Sequence, residues 1–399
     1  MESSESAEVL VIGAGPAGAT AACALAQAGI DVILADQRVF PRDKVCGDAL
    51  ISDSLEALAA LGIRQRALDE AVKPRELRMY SPNGACAPLA GEFACLARER
   101  FDALLLDAAI ESGARFMAGM RALAPLEDTR RVVGARFERA RMQSEIRARL
   151  TILATGADPG VLRVFGFALR AKPTGVAGRA YYEAPAELAA RFRALMIAYH
   201  RDWCPGYGWV FPGPQNRFNI GVGLFAGSHD GARLREFWSF FRNEFPPARE
   251  LTGRSREIAP FRGAPLRTGA LPRGFGKPGL LLVGEAADTT YPATGEGIGK
   301  AMQSGLLAAE MLAEGAASGR PLECLHERYG AEFQRRFGER YKAYRTAQSW
   351  AAHPLLLNLL AARANKDGFV RRELERFIAE RGDARALFSK RGLLKALTR

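Results

Sequence analysis

The glycine pattern near the start of the chain is the feature that most constrains its fold. An apolar run at residues 9–12 leads directly into GAGPAG at 13–18, which has the spacing G-x-G-x-x-G. Gly13 permits a tight turn, Gly15 lets the backbone approach a pyrophosphate, and Gly18 lets the next helix pack on the strand. The helix N-terminus then presents free N–H groups and a positive dipole end to phosphates. The pattern predicts a Rossmann-type unit that binds a dinucleotide.

An acid at the end of the second predicted strand supports this prediction. Asp36 follows the apolar run at 31–35, at the distance where a carboxylate binds ribose hydroxyls. A glycine-rich turn that binds nothing is the alternative, and the presence of strand, helix and acid together disfavours it. The other cofactor contacts predicted in this unit are Pro16, Ala17, Gln37 and Arg38.

A second glycine-rich turn lies far along the chain. Residues 279–288 read GLLLVGEAAD, and 292–299 read PATGEGIG and open an apolar helix predicted at 300–312. The pair resembles the second FAD motif of glutathione-reductase-like flavoproteins, in the branch that holds para-hydroxybenzoate hydroxylase, although that branch usually has Asp where this chain has Glu285. The resemblance implies that the acid holds the ribityl–phosphate region and that the helix start faces the flavin pyrimidine edge. The contacts it implies are Gly284, Glu285, Pro292, Gly295, Glu296, Gly297 and Ile298.

Two further segments resemble parts of the same site. Residues 96–102 read LARERFD and resemble the arginine at the head of a helix, so Arg98 is implied to contact the cofactor; a solvated helix-start arginine is the alternative. Residues 150–156 read LTILATG and resemble the strand and turn that close over the adenosine half, which implies contacts at Ala154 and Gly156.

Two motifs narrow the branch. Residues 40–50 read FPRDKVCGDAL, and 205–212 read PGYGWVFP. Their K-x-C-G and P-x-Y-x-W-x-F-P segments resemble those of the geranylgeranyl reductase family, and the resemblance runs from about residue 7 to 395. It implies cofactor contacts at Lys44, Cys46 and Gly47. It also implies hydride transfer from reduced FAD to a carbon–carbon double bond of a prenyl chain or a similarly apolar lipid. NAD(P)H or another reductant, such as an electron-donor protein, would bind only transiently.

The physical properties of these residues allow more than one role. Tyr207, Trp209 and Phe211 alternate on a predicted strand, so they share one face and could wall an apolar pocket or fill a sheet core. Cys46 could be a proton donor near the flavin or a packed, inert thiol. Lys44 and Asp48 could anchor a substrate head group or pair with each other. The predicted catalytic residues are Cys46, Tyr207 and Trp209.

Three rival functions share these features. A monooxygenase on the same fold would use a similar apolar pocket. A flavin halogenase is a weaker rival, because YGWVFP at 207–212 resembles the halogenase W-x-W-x-I-P, whereas KVCGD at 44–48 lacks the halogenase G-E-S. From a different class comes a non-catalytic flavin-binding redox sensor, whose FAD no substrate would turn over.

Charge and composition bound the partners. The formal net charge is +12, but the arginines are spread along the chain and no nucleic-acid module is present, so we expect no nucleic-acid partner. Residues 371–399 hold nine Lys/Arg and four acids among apolar residues. This segment could contact an anionic membrane or pack back on the core as a helix face. The six cysteines show neither C-x-x-C nor metal spacing, which predicts a cytoplasmic protein without a metal, peripheral at the inner face of the membrane if the tail binds there.

The order of the motifs predicts an α/β fold. A glutathione-reductase-like FAD-binding Rossmann domain would combine residues 7–72, 97–164 and 276–320. Period-two alternation predicts an antiparallel-sheet substrate domain, inserted at 73–96 and 165–275. Residues 321–399 are predicted to form a helical C-terminal region.

Overall fold

The structure is a computed structural model that describes residues 4–167, 173–225, 231–269, 274–318, 322, 324–366, 368–381, 383–389, 391–392 and 395. Its strands, in chain order, are β1 (Ser4–Ile12), β2 (Val32–Asp36), β3 (Ala49–Leu50), β4 (Glu76–Tyr80), β5 (Cys86–Ala90), β6 (Ala94–Cys95), β7 (Arg115–Ala118), β8 (Arg121–Asp128), β9 (Arg131–Arg139), β10 (Met142–Leu153), β11 (Gly175–Glu183), β12 (Leu195–Ala198), β13 (Gly206–Pro212), β14 (Arg217–Phe225), β15 (Arg256–Leu266), β16 (Gly276–Lys277) and β17 (Leu280–Leu282).

The helices are distributed along the whole chain and become continuous after the last strand. They are α1 (Pro16–Gln27), α2 (Ser52–Ala60), α3 (Arg64–Glu70), α4 (Arg98–Glu111), α5 (Pro159–Val164), α6 (Ala186–Ala189), α7 (Gly231–Glu244), α8 (Pro246–Arg254), α9 (Ile298–Ala317), α10 (Leu325–Ala351), α11 (Pro354–Lys366) and α12 (Gly368–Ile378). The helix predicted at 300–312 is therefore present but longer at both ends.

The first sheet holds both glycine-rich turns at one edge. Its order is β16-β17-β10-β1-β2-β7, with β17, β10, β1, β2 and β7 parallel. The first half of β10 also pairs antiparallel with β9, which pairs with β8. Val11, Ile152 and Leu34 are neighbours in register and are buried, as expected for a parallel sheet covered on both faces. The turns after β1 and β17 consequently lie at the same edge of the sheet, on either side of β10.

A close helix contact joins these two turns. Helices α1 and α9 pack against each other, and a Cβ at Gly305 of α9 would lie 2.4 Å from the Ala17 carbonyl oxygen. Only glycine allows the backbones to approach this closely. The two predicted cofactor-binding segments, almost 300 residues apart in the chain, are thereby fixed against each other.

The second sheet combines two segments that are distant in the chain. Its order is β15-β11-β14-β13-β12-β4-β5, antiparallel except for the β12–β4 pair. Helices α7 and α8 cover one face, where Val210 packs in a separate core with Phe237, Trp238 and Phe241. The side chains that alternate with Val210 on β13 point to the opposite face.

The C-terminal helices lie against both sheets. Along α10, Tyr341 and Tyr344 pack on the Tyr291 ring, with centroid distances of 4.8 and 3.8 Å. Helices α11 and α12 contact each other and β5 at the edge of the second sheet. The helical C-terminal region is thus part of the fold and closes the gap between the sheets.

The described part of the C-terminal tail packs inward. Phe377, Leu387 and Phe388 are buried, and the Phe388 ring lies 5.4 Å from that of Trp350. Packing back on the core, the alternative to membrane contact, therefore accounts for these residues, while Leu393, Leu394 and Leu397 lie outside the described residues. Among the described helices, none is long and apolar enough to cross a membrane.

Candidate active site

A single cavity of about 710 Å³ runs between the two sheets and the C-terminal helices. The glycine loop after β1 and Asp36 line one end, Trp209 and Trp350 line the other end, and Cys46 also lines the wall. A cavity of this size with a few polar groups in an apolar wall is typical of a cofactor and substrate site.

Most of the predicted site residues line this cavity. Those that do are Gly13, Gly15, Pro16, Ala17, Asp36, Gln37, Arg38, Lys44, Cys46, Gly47, Arg98, Ala154, Gly156, Tyr207, Trp209, Glu285, Gly295, Glu296, Gly297 and Ile298. Three do not, namely Gly18, Gly284 and Pro292. They lie behind the lining residues and pack against the segments that form the wall. A Cβ at Gly18 would lie 1.8 Å from the Gly13 carbonyl oxygen, and one at Gly284 would lie 2.7 Å from the Ala17 Cβ.

The glycine loop has the geometry of an anion cradle. Gly13 adopts a φ of +105°, and the Asp36 carboxylate accepts a hydrogen bond of 2.7 Å from the Ala14 N–H, which fixes the turn. A Cβ at Gly15 would meet only the end of the Arg42 side chain, at 3.5 Å, so this position is open towards the cavity. In the part of the chain that the structure describes, no side chain caps the N-terminus of α1. Its free N–H groups are therefore available to a phosphate.

The turn after β17 places the carboxylate of Glu285 close to the ammonium group of Lys44 at the nucleotide end of the cavity. One oxygen of Glu285 accepts a bond of 3.0 Å from the Arg267 N–H, and the other lies 3.8 Å from the Lys44 ammonium group. Lys44 therefore pairs with Glu285, so of the two alternatives left open for Lys44 and Asp48, an ion pair between them is wrong. The longer side chain of Glu285 is accommodated by this contact with Arg267.

Arg98 is buried and not a solvated helix-start arginine. It forms two hydrogen bonds of 2.7 Å with the Asp102 carboxylate, which also lies 2.9 Å from Arg42. The positive charge of Arg98 favours the Cys46 thiolate, but burial dominates and raises the pKa of the Cys46 thiol. Cys46 is consequently a neutral thiol in the cavity wall.

Asp48 is the centre of a hydrogen-bond network that the sequence did not predict. It has a positive φ of 66° and accepts bonds from the Tyr181 hydroxyl and from Asn219 Nδ2, the latter at 2.8 Å. Asn219 Nδ2 also donates to the Cys46 carbonyl at 2.7 Å, and Asn219 Oδ1 accepts from Trp209 Nε1 at 2.8 Å. Asn219 thus ties the Cys46 loop to the Trp209 side chain.

Burial governs the charge of this network. It raises the pKa of Asp48 to about 6, although the bonds from Tyr181 and Asn219 and the charges of Arg179 and Arg98 oppose it. Asp48 is therefore mostly ionised at pH 7 and accepts both bonds. Arg179 is fully buried, pairs with Asp43, and lies 4.1 Å above the Tyr181 ring. It supports the network from behind.

Replacing Asn219 tests the importance of this bridge. We expect Asn219→Ala to lower the free energy of unfolding by about 2–3 kcal/mol, because Trp209 Nε1 and Asp48 each lose a buried partner. FAD content should stay unchanged, because Asn219 is not part of the nucleotide end. Chemical denaturation and the flavin-to-protein absorbance ratio measure the two effects. Asn243→Ala on the exposed face of α7 is the control, and equal stability of the two variants would contradict the network.

The far end of the cavity is apolar. Strand β13 contributes Tyr207, Trp209 and Phe211, and the Tyr207 ring stacks on Phe225 with a centroid distance of 5.7 Å. The Tyr207 hydroxyl donates to the Thr294 carbonyl, which joins this strand to the loop before α9. The C-terminal helices and tail close this end, and their side chains here are Ala347, Trp350, Ala351, Leu357, Leu360, Leu374, Phe377, Ile378 and Phe388. Sequence reasoning did not place these helices at the cavity.

These residues fit FAD. The open position at Gly15, the uncapped start of α1 and the Asp36 carboxylate suit a pyrophosphate and a ribose. The glycine-flanked loop before α9 suits the flat flavin, because small residues let its backbone N–H groups approach the ring. When bound, FAD would supply the redox chemistry, and the protein would supply binding, orientation and exclusion of water.

Comparison with known proteins supports FAD as the cofactor. The model of the FAD binding domain family matches residues 6–340. This chain is an FAD-dependent oxidoreductase. A menaquinone reductase of Mycobacterium tuberculosis is 32% identical over 359 residues, covering 84% of this chain and 83% of that protein. Digeranylgeranylglycerophospholipid reductase 1 of Methanopyrus kandleri is 31% identical over 346 residues, covering 85% and 88%.

Solved structures share the fold over its whole length. A geranylgeranyl bacteriochlorophyll reductase-like protein from Thermoplasma acidophilum superposes with a TM-score of 0.82 at 22% identity, covering 100% of this chain and 97% of that one. A flavin-dependent brominase superposes with a TM-score of 0.79 at 17% identity, covering 98% and 99%. The fold alone therefore admits several flavin chemistries, and the sequence relatives decide the family. The chain belongs to the geranylgeranyl-reductase-like family, in the para-hydroxybenzoate-hydroxylase-like group of flavoproteins.

Proposed function

We propose that this protein uses FAD to reduce carbon–carbon double bonds of a prenyl chain or a similarly apolar lipid. The observation that carries the proposal is the continuity of the cavity, in which the nucleotide cradle at Gly15 opens without a break into the apolar end at Trp350 and Leu360. The names of the two sequence relatives, a menaquinone reductase and a digeranylgeranylglycerophospholipid reductase, support it. Bound, reduced FAD would supply a hydride for each double bond reduced.

The protein side chains would position the lipid and exclude water. Tyr207 and Trp209 would form the wall against which an alkene lies, held in place by Phe225 and by the Asn219 bridge. Cys46, with its neutral thiol, would define the shape of the wall beside them. The leucines of α11 and α12 would surround the more distant part of the chain and keep the reacting end dry.

The remaining features of the proposal concern organisation and partners. Residues 7–72, 97–164 and 276–320 would act as the FAD domain, 73–96 and 165–275 as the substrate domain, and 321–399 as the helical closure. A pyridine nucleotide or a donor protein would reduce the flavin. Contact with the inner face of a membrane would give access to a lipid substrate.

Trp209 offers a test of the substrate wall. We expect Trp209→Ala to retain FAD but to reduce turnover about 10- to 100-fold, because a misplaced substrate loses the geometry of reaction. Trp209→Phe keeps an aromatic ring and should lose less activity. FAD absorbance and single-turnover kinetics report the two properties. Unchanged kinetics for Trp209→Ala would show that Trp209 only packs in the sheet and does not position the substrate.

The function is tested by mixing the reduced protein with candidate substrates without oxygen. A polyprenyl alcohol or diphosphate should reoxidise the flavin, whereas its fully saturated counterpart should not. Mass spectrometry should find products that have gained two hydrogens for each reduced bond. Failure of every prenyl substrate to reoxidise the flavin would contradict the proposal.

Monooxygenation is the second candidate, because the same fold holds a flavin-dependent brominase and the apolar cavity would suit an oxygen-dependent reaction. The same experiment separates the two. If the flavin stays reduced until oxygen is admitted, and the product then gains an oxygen atom, the monooxygenase assignment is correct.

A further inference from the structure

Among the described residues, no cation pairs with the carboxyl group of Glu296, which lies in a wall of the cavity. Two hydrogen bonds fix the conformation of its loop. The Tyr291 N–H donates to the Glu296 carbonyl at 2.9 Å, and the Tyr207 hydroxyl donates to the Thr294 carbonyl. The Tyr344 hydroxyl lies 3.5 Å from Glu296 Oε2, and the Thr294 hydroxyl is a second neutral donor to the carboxyl group. The side chain is half-buried, and its exposed part faces the cavity. Bound cofactor and substrate would therefore remove its remaining water.

A buried group of charges lies directly behind Glu296. The Lys300 side chain is 2% exposed, and its ammonium group lies 2.9 Å from the Asp53 carboxylate and also pairs with Glu380. Arg340 pairs with Glu380 at 2.8 Å and is 30% exposed, so the group reaches solvent at this end. We call Asp53, Lys300, Arg340 and Glu380 the charge cluster. The other titratable groups that face Glu296 are the hydroxyls of Tyr199, Tyr207 and Tyr344. The Tyr291 ring faces the charge cluster instead, with its centroid 4.5 Å from the Lys300 ammonium group.

The balance of charge leaves one carboxyl group protonated. Asp53, Glu380 and Glu296 share two cations, Lys300 and Arg340, and both cations are already paired with the first two acids. Ionising Glu296 would therefore place an uncompensated negative charge in a buried site. Consistently, burial and the charges of Glu380 and Asp53 raise the pKa of Glu296 to about 8.

We infer that Glu296 is the proton donor of the reaction proposed above, and that the charge cluster behind it keeps it protonated between turnovers. This inference rests on the proposed function, in which one alkene carbon receives a hydride from the bound cofactor. Glu296 gives its carboxyl proton to the other carbon, and the two π electrons form that new C–H bond. The product gains two hydrogens, the cofactor loses two electrons, and Glu296 is left as a carboxylate.

The carboxylate would recover its proton from solvent. The Tyr344 hydroxyl lies 3.5 Å from Glu296 Oε2, and the partly exposed Arg340 marks the end of the charge cluster that is open to water. The same burial and negative charge that disfavour the carboxylate favour its return to the acid. Glu296 thus acts as a donor that resets itself at neutral pH.

The test compares Glu296→Gln with wild-type protein and with Glu314→Gln, which removes an exposed acid from α9, the helix that follows the Glu296 loop. Anaerobic reoxidation of reduced flavin by a polyprenyl substrate should slow at least about 100-fold in Glu296→Gln only, as expected for loss of a general acid. FAD content and reoxidation by oxygen should stay unchanged. In wild type the alkene-driven rate should fall as the pH rises through about 8, because only the acid form can donate, and Glu296→Gln should lack this decrease.

A spectroscopic measurement keeps this test independent of turnover. Infrared difference spectra of the FAD-loaded protein should show the carbonyl stretch of a protonated carboxyl group that titrates near pH 8 and is absent in Glu296→Gln. Wild-type kinetics and an intact pH decrease in Glu296→Gln, or absence of the infrared band from wild type, would overturn the inference while the proposed function stands. If the alkene fails to reoxidise the flavin even in wild-type protein, the proposed function is wrong, and the role of Glu296 as its proton donor is wrong as well.

Discussion

Gly15→Val is expected to give a folded protein that no longer retains FAD. A Cβ at this position meets only the flexible end of Arg42, at 3.5 Å, so the protein itself can accommodate a side chain. The two methyl groups of valine would instead occupy the space through which a pyrophosphate reaches the N-terminus of α1. We expect binding to weaken at least about 100-fold, or about 2.7 kcal/mol.

Titration of the deflavinated variant with FAD, followed by fluorescence quenching, measures this loss. Gly253→Val is the matched control, because a Cβ there meets nothing within 4 Å and Gly253 lies in α8, away from the cavity. It should bind FAD as wild type does. A yellow, fully loaded Gly15→Val protein would contradict the assignment of the glycine loop as the pyrophosphate cradle.

Lys300→Met should be among the most destabilising single substitutions in the chain. Burial alone would lower the pKa of Lys300, but Asp53 and Glu380 raise it well above its usual value, so the side chain is a buried cation. Its removal leaves two buried carboxyl groups without their shared partner. We expect a loss of about 3–5 kcal/mol in the free energy of unfolding at pH 8.

The loss of stability in Lys300→Met should depend on pH. Burial raises the pKa of Glu380 in the folded protein above its value in the unfolded chain. As the pH falls, the folded protein therefore binds a proton at this site before the unfolded chain does, which favours folding. In Lys300→Met, protonation removes the uncompensated charge, and the deficit relative to wild type should shrink as the pH is lowered towards about 5. Urea denaturation across this range measures it.

Two variants control for the loss of a lysine in general. Lys342→Met breaks an exposed pair with Glu339 and should cost less than about 1 kcal/mol. Lys300→Met combined with Glu380→Gln should be more stable than Lys300→Met alone, because one unpaired carboxylate is gone. A deficit that does not depend on pH, or no gain in the double variant, would show that Lys300 acts through packing alone.

The local parts of the cofactor site could be predicted from the sequence. The turn at Gly13, the strand that ends at Asp36 and the alternation of Tyr207 with Trp209 are short-range patterns, and each reflects a backbone requirement that neighbouring residues fulfil. The structure brings these residues to one cavity, as their resemblance to known motifs implied. Their roles in binding and catalysis remain predictions.

The parts that depend on distant residues could not be predicted in this way. Asn219 looks like any polar residue in a strand, and its bridge between Cys46 and Trp209 exists only once β13 and β14 pair. Lys300 was the only sequence signal of the charge cluster that we identify, and it was weak. A single cation among the small and apolar residues that begin α9 needs a buried partner, but the sequence does not say which residue that partner is. Its partners, Asp53 and Glu380, come from opposite ends of the chain.

The apolar end of the cavity illustrates the same limit. The C-terminal helices carry apolar residues that the sequence assigned to a helical region, but nothing local indicated that Trp350 and Leu360 line the substrate space. Which face of such a helix meets a cavity depends on how α10 docks through Tyr341 and Tyr344 on Tyr291, a contact between distant segments.

The most direct measurement of the central claim is a single turnover in which electrons and hydrogens are counted together. Protein with a known amount of reduced flavin is mixed anaerobically with a polyprenyl substrate in heavy water, and flavin absorbance and product mass are recorded on the same sample. We expect one product molecule for each flavin oxidised, with two hydrogens added at the reduced bond and at least one of them a solvent deuteron. Flavin that stays reduced in the presence of the alkene, or product that forms only with oxygen, would contradict it.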